Sequence, residues 1–162
     1  MALKVGDKAP DFTLKSLNPL SPDPQEVSLS SYKNQKDVLL LFFPQAFTGA
    51  CTKEMCDMSE GLEFYNDLNV QVLGISVDGT FVQKAFAEKY NIKVPLLSDY
   101  NREVTPKFGV LRPEFAHGMK HTAERAAFLI DKTGTIQYAE VMASPGDLPN
   151  FNAIREKIQS LN

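Results

Sequence analysis

Cysteine is scarce in this 162-residue chain, which carries only Cys51 and Cys56. Two are too few for a disulfide framework and too few for a four-cysteine zinc site. Long hydrophobic runs are lacking as well. The longest uninterrupted apolar stretch, residues 38–43, falls far below the roughly 18 residues a membrane-spanning helix needs, so no membrane association is expected. Neither sign of charge dominates. With 17 Lys and Arg against 20 Asp and Glu the formal charge is −3, which gives no electrostatic drive toward nucleic acid or anionic lipid. The first ten residues lack the apolar stretch of a secretory signal, so a reducing cytoplasm is the expected location. Repeats and low-complexity tracts are absent from the pattern. What is present is 43% hydrophobic and 23% charged residues, enough to bury one sizeable core, and residues 1–162 are expected to form a single domain.

Residues 17–36 are rich in Ser, Pro, Asn, Asp and Gln, with Pro19, Pro22 and Pro24 close together, and read as a loop with a short strand at 26–29. The apolar run 38–43, ended by Pro44, reads as a central strand buried on both faces. Beyond it Cys51, Met55, Met58, Leu62 and Tyr65 recur at spacings of three and four. That period predicts one amphipathic helix from Cys51 to about Asn66, with Cys51 in its first turn. Residues 70–77 are β-branched and apolar and read as a second buried strand. Thr80 with Gln83 has the pattern of a capping box, and Val82, Ala85, Phe86 and Tyr90 carry a helical stripe to near Asn91.

Residues 92–124 are less regular, with a short apolar piece at 94–97, a short helix expected around 103–108 and a polar loop from Arg112 to Glu124. Residues 126–130 and 135–141 then read as an antiparallel hairpin across Asp131-Lys-Thr-Gly134. Phe151, Ile154, Ile158 and Leu161 mark a last amphipathic helix begun after Pro149 and Asn150. Strand, helix, strand, helix, insertion, hairpin and helix is a thioredoxin-like order. An α/β fold follows, a central mixed sheet flanked by helices, with right-handed crossovers at the two parallel connections.

Residues 42–51 lead from the C-terminal end of a buried strand into a helix start, where open α/β sheets place their ligands. A cysteine in a first helical turn lies among backbone N–H groups without intrahelical acceptors, and the helix dipole favours its thiolate. The stake is large. A thiol titrating near 8.5 is about 3% ionised at pH 7, whereas one titrating near 6 is about 90% ionised. Pro44 donates no N–H and stiffens the segment, and Thr48, three residues before Cys51, brings a hydroxyl toward the sulfur and a bound oxygen. Phe43 and Phe47 are placed to keep water away. A peroxide needs one oxygen held by donors during in-line attack and stabilisation of the oxygen that leaves.

Pro44-x-x-x-Thr48-x-x-Cys51 resembles the active-site motif of the peroxiredoxins. Ala9-Pro-Asp-Phe-Thr-Leu14, Pro95-Leu-Leu-Ser-Asp99 and Arg125-Ala-Ala-Phe-Leu-Ile-Asp131 resemble other segments of that family, so the likeness spans about residues 5 to 145. The resemblance implies a thioredoxin-like peroxiredoxin fold and a thiol peroxidase without a cofactor or metal. Cys51 is then the peroxidatic cysteine, oxidised to a sulfenic acid by hydrogen peroxide or an organic hydroperoxide, and Pro44, Thr48 and Arg125 match the other active-site positions. A thiol reductant such as thioredoxin or glutaredoxin and a homodimer are implied too. Arg125, alone among the four arginines, opens a strand expected beside the first. Glu54 either orients that guanidinium or is a solvated helix-surface carboxylate.

The spacing Cys51-x-x-x-x-Cys56 resembles the bacterioferritin-comigratory or Q type, which often resolves the sulfenic acid with a cysteine five residues on. Ala46-Phe-Thr-Gly-Ala-Cys51 looks closer to the alkyl hydroperoxide reductase E-like type, where a second cysteine is not required. Five helical steps separate Cα atoms by roughly 8 to 9 Å, beyond the ~7 Å limit of a disulfide, so a bond needs local unwinding. Cys56 is thus a resolving cysteine or a small packing residue. Two rivals remain: a disulfide reductase, which wants Cys-x-x-Cys, and a copper or zinc protein using Cys51, Cys56, His117 and His121. Phe108, Leu111, Phe115 and Met119 form either a dimer contact or core.

Overall fold

The computed structural model describes residues 1–19, 21 and 23–162. Pro22, part of the expected loop, lies outside the described residues. In chain order the strands are β1 (Thr13–Ser16), β2 (Gln25–Ser28), β3 (Asp37–Phe42), β4 (Val70–Ser76), β5 (Leu96–Ser98), β6 (Leu111–Glu114), β7 (Lys120–Ala123), β8 (Ala126–Ile130) and β9 (Ile136–Val141). The α-helices are α1 (Gly49–Glu60), α2 (Leu62–Asp67), α3 (Thr80–Tyr90) and α4 (Phe151–Leu161). Seven strands make one mixed sheet in the order β2-β1-β5-β4-β3-β8-β9, and β6 pairs with β7 in a separate ribbon. β3 lies parallel to β4 and antiparallel to β8.

The unbroken apolar run of β3 exists because its alternate residues serve two cores. Leu39 and Leu41, with Phe43 beyond the strand, pack with Met55, Tyr65, Phe86, Ile154 and Ile158, which come from all four α-helices. Val38, Leu40 and Phe42 face the other side, against Phe12, Leu73, Phe108 and Phe128. Fully burying each such side chain contributes about 1.5–3 kcal/mol, so β3 is the anchor against which the site is built. Phe108 therefore belongs to the core, its ring 5.2 Å from Phe42 and 5.3 Å from Phe128, and is no dimer contact.

Several elements differ from the sequence pattern for identifiable reasons. The helix expected over 51–66 is two helices, broken at Gly61, which ends α1 and precedes α2. Hydrophobic period continues across the break and conceals it. The capping box at Thr80 does not form: Gly79 is the N-cap, and buried Gln83 donates instead to Ser76 Oγ and Leu97 O, both at 2.9 Å. No helix forms over 103–108. Asp99 takes the amides of Glu103 and Thr105 at 2.9 and 2.7 Å and the Thr105 hydroxyl at 2.6 Å, which holds that segment as turns. The expected polar loop after Arg112 is the β6–β7 hairpin, turned by His117 and Gly118 at φ 60° and 75° and clasped by Arg112 and Glu124 at 2.7 Å.

The β8–β9 hairpin and α4 form where the sequence places them. Ala126 opposes Val141, with a register shift at Leu129/Ile130, and Asn150 Oδ1 caps α4 by accepting from Ala153 N at 3.1 Å.

Candidate active site

The register of the sheet assembles the site. Ala126 of β8 lies opposite Phe42, the last residue of β3, so Arg125 stands beside the point where the chain leaves the sheet. From there Phe43 still bonds Ile75 O at 3.0 Å, Pro44 ends the ladder, and the chain turns through residues 45–48 into α1. Cys51 is the third residue of α1. It is fully buried and unbridged.

Arg125, itself buried, is held by four hydrogen bonds. Its Nη2 donates to Cys51 Sγ at 3.0 Å, and its Nη1 donates to Glu54 Oε1 at 2.9 Å. Nε and Nη2 also donate to the Pro145 carbonyl at 3.0 and 2.8 Å. Glu54 is thus no surface carboxylate, and the fork is shared between carboxylate and sulfur rather than spent on both oxygens of Glu54. Burial pushes Glu54 up to about 7, against the pull of the guanidinium beside it. Near neutral pH this carboxyl is therefore partly protonated, and the charge of Arg125 is not fully cancelled at the sulfur. Glu54 Oε2 has no hydrogen-bond partner among the described residues.

Thr48 is the N-cap of α1 through its extended backbone, but its hydroxyl does not cap the helix. Oγ1 donates to Gln45 O at 2.9 Å, which leaves its lone pairs available as acceptors. Pro44 and Phe43 are buried beneath the turn, while Phe47 is 45% exposed and lies 5.1 Å from the Phe86 ring and 6.2 Å from that of Tyr90. Cys56 follows on α1, half-buried and free. Burial, with the charges of Asp57 and Glu60, pushes its thiol up. The two cysteines thus have opposite surroundings, a cation at one and anions at the other.

Two contributors had no readable signal. The Pro145 carbonyl carries no side-chain information, and Asp78, whose Oδ2 accepts from Ala46 N at 2.8 Å, follows a strand end without any motif. His117 and His121 are exposed, and among the described residues no three His, Cys, Asp or Glu side chains are grouped to hold a metal ion. A cavity of about 310 Å³ lies at the other end of β3, against Val38 and Ile130, and includes none of the residues at Cys51.

The AhpC/TSA family matches residues 5–139. The chain is 38% identical over 149 residues to alkyl hydroperoxide reductase E of Mycobacterium bovis, covering 90% of each protein. It is 34% identical over 144 residues to the barley 2-Cys peroxiredoxin BAS1, covering 85% of this chain and 65% of that longer relative. The crystal structure of reduced Plasmodium vivax 2-Cys peroxiredoxin superimposes with a TM-score of 0.84 at 28% identity, covering 98% of this chain and 96% of that one. The fold is thioredoxin-like. These relatives do not favour a disulfide reductase or a copper or zinc protein, and α1 places only Cys51 at a helix start.

Proposed function

We propose that this chain, which belongs to the AhpC/TSA family of peroxiredoxins and is a thiol-dependent peroxidase, uses Cys51 as its peroxidatic nucleophile. The observation that carries the assignment is the 3.0 Å hydrogen bond from Arg125 Nη2 to a fully buried Cys51 Sγ at the start of a helix. The guanidinium sets a cation against the attacking sulfur, and Cys51 lies in the first turn of α1, where the helix dipole has the same sign. Thiolate sulfur attacks one peroxide oxygen, the O–O bond breaks, and the S–O bond forms. The other oxygen departs as water or an alcohol after taking up a proton. Arg125 and the Thr48 hydroxyl bind the peroxide oxygens, and Pro44 keeps the turn rigid and dry beneath them.

The sulfenic acid is then reduced by a thiol. We assign that first thiol to Cys56: its sulfur displaces the hydroxyl of the sulfenic acid as water, giving a Cys51–Cys56 disulfide that thioredoxin or glutaredoxin reduces. Both cysteines lie on α1, so closure requires the first turns of that helix to unwind. A single domain over residues 1–162, a cytoplasmic location and a homodimer complete the reading. Phe81, Val82 and Tyr100 by Gly79 and the start of α3, with Phe47 against Phe86 and Tyr90 of the same helix, are exposed apolar side chains that suit a second copy.

The test is peroxide consumption by wild type, Cys51→Ser and Cys56→Ser with thioredoxin or with dithiothreitol. Cys51→Ser is expected to be inert with both reductants, and Cys56→Ser to work with dithiothreitol but slowly with thioredoxin. Full thioredoxin-driven turnover by Cys56→Ser removes Cys56 from the cycle. A monomer by light scattering removes the dimer.

A further inference from the structure

Between Pro44 and Cys51 the chain makes a turn that local preference does not favour. Phe47 sits at φ 70°, the left-handed region, where a large L side chain is strained. Such a conformation persists when its surroundings over-determine it. Three contacts do so here. The Phe47 ring lies against Phe86 and Tyr90, Thr48 Oγ1 closes on Gln45 O, and the amide of Ala46 donates to Asp78 Oδ2 at 2.8 Å.

Only the third ties the turn's backbone to the sheet. Asp78 Oδ2 also accepts from Ser76 Oγ at 2.7 Å, and Ser76 is the buried last residue of β4. Ser76 Oγ in turn accepts from Gln83 Nε2 at 2.9 Å, and Gln83 reaches Leu97 O of β5 at 2.9 Å. The Asp78 carbonyl is fixed by Ser98 Oγ at 2.6 Å. One carboxylate oxygen therefore links the turn's backbone to β4 and, through Ser76 and Gln83, to α3 and β5.

We propose that Asp78 is a positioning residue for peroxide reduction: by holding Ala46 it fixes the strained turn that aims the Thr48 hydroxyl at the peroxide bound over Cys51. The inference rests on the peroxidase reading above. Asp78 acts through the turn and not on the sulfur, whose cation is supplied separately by Arg125 of β8's leading end. Loss of Asp78 thus separates two properties of Cys51, its reaction with peroxide and its intrinsic nucleophilicity. A displacement of about 1 Å in a positioning group costs on the order of 10²-fold in rate.

The experiment compares Asp78→Ala, Asp78→Asn and Asp78→Glu in a Cys56→Ser background, which leaves Cys51 as the only thiol. The rate constant for Cys51 oxidation by hydrogen peroxide and the rate of Cys51 alkylation by iodoacetamide are measured on each. Asp78→Ala is expected to lower the peroxide rate about 10- to 100-fold while alkylation stays equal or becomes faster. Asp78→Asn, whose Oδ1 accepts from the same two donors, is expected to restore the peroxide rate to within about threefold. Asp78→Glu, which keeps the charge but displaces it by one methylene, is expected to behave like Asp78→Ala and serves if that variant does not fold. An unchanged peroxide rate in Asp78→Ala or Asp78→Glu overturns the inference alone, and so does a parallel loss of oxidation and alkylation. Parent protein that consumes no peroxide overturns the peroxidase reading and this inference with it.

Discussion

Replacing Arg125 by Met leaves the Glu54 carboxyl fully buried with its one cationic partner gone, and the consequence can be worked out as a function of pH. In the wild-type protein burial raises Glu54 from its ordinary 4.5 to about 7, with Arg125 pulling the other way. Over that interval the folded chain holds a proton that the unfolded chain has released. Stability therefore falls as pH rises from about 4.5 and levels off above about 7. At about 1.4 kcal/mol per unit, the loss reaches an upper bound of about 3 kcal/mol. Without Arg125 the carboxyl stays protonated to higher pH, so the decline continues past 7.

The difference in unfolding free energy between the two proteins should thus widen by about 1.4 kcal/mol for each pH unit above 7. Below pH 7 an offset remains from the hydrogen bonds that Arg125 no longer donates, two to the Pro145 carbonyl, one to Glu54 Oε1 and one to the side chain at position 51, at about 1 kcal/mol each. Urea unfolding at pH 6, 7, 8 and 9 measures this, in a Cys51→Ser background so that Glu54 is the one acidic side chain bonded to Arg125. Adding Glu54→Gln removes the group responsible and should remove the slope. A stability difference that stays flat from pH 6 to 9 refutes the reasoning.

Two further outcomes test the packing. Gly109 sits at φ 71°, and a Cβ there would lie 2.6 Å from Ala2 Cα, because Leu3 N bonds Phe108 O at 3.2 Å and brings the N-terminal segment across it. Gly109→Ala should cost more than about 2 kcal/mol of unfolding free energy, combining backbone strain with displacement of that segment, and a cost under about 0.5 kcal/mol contradicts the contact. Asn150→Ala removes the N-terminal side-chain cap of α4 and should cost about 1 kcal/mol by urea unfolding, whereas Asn150→Ser should cost little.

The parts of the fold legible in the sequence are those carried by hydrophobic period. β3, β4, α3, the β8–β9 hairpin and α4 were readable because their apolar residues face cores on one or both sides. What was hidden depended on side chains meeting across the fold. Asp99 gathering the amides of residues 103–105 replaces a helix that local pattern favours, and Gln83 turns from a helix cap to Ser76 and Leu97. At the site, Cys51, Thr48 and Pro44 were visible by spacing from the strand end. For Glu54 the sequence left two roles open, orienting the guanidinium or facing solvent, because a single glutamate on a helix has no pattern that marks it as buried. Only the register of β8 against β3, which sets Arg125 beside α1, closes the fork between Glu54 and Cys51.

The proposed mechanism requires that Cys51 be the sulfur that peroxide oxidises. The most direct measurement exposes reduced protein to one equivalent of hydrogen peroxide with a sulfenic-acid trap such as dimedone, then locates the adduct by peptide mass analysis in Cys56→Ser protein. The expected result is a near-stoichiometric adduct on Cys51, with a rate of formation that falls at least tenfold when Arg125 is replaced by Met. Cys51 left unmodified while peroxide is consumed would contradict it.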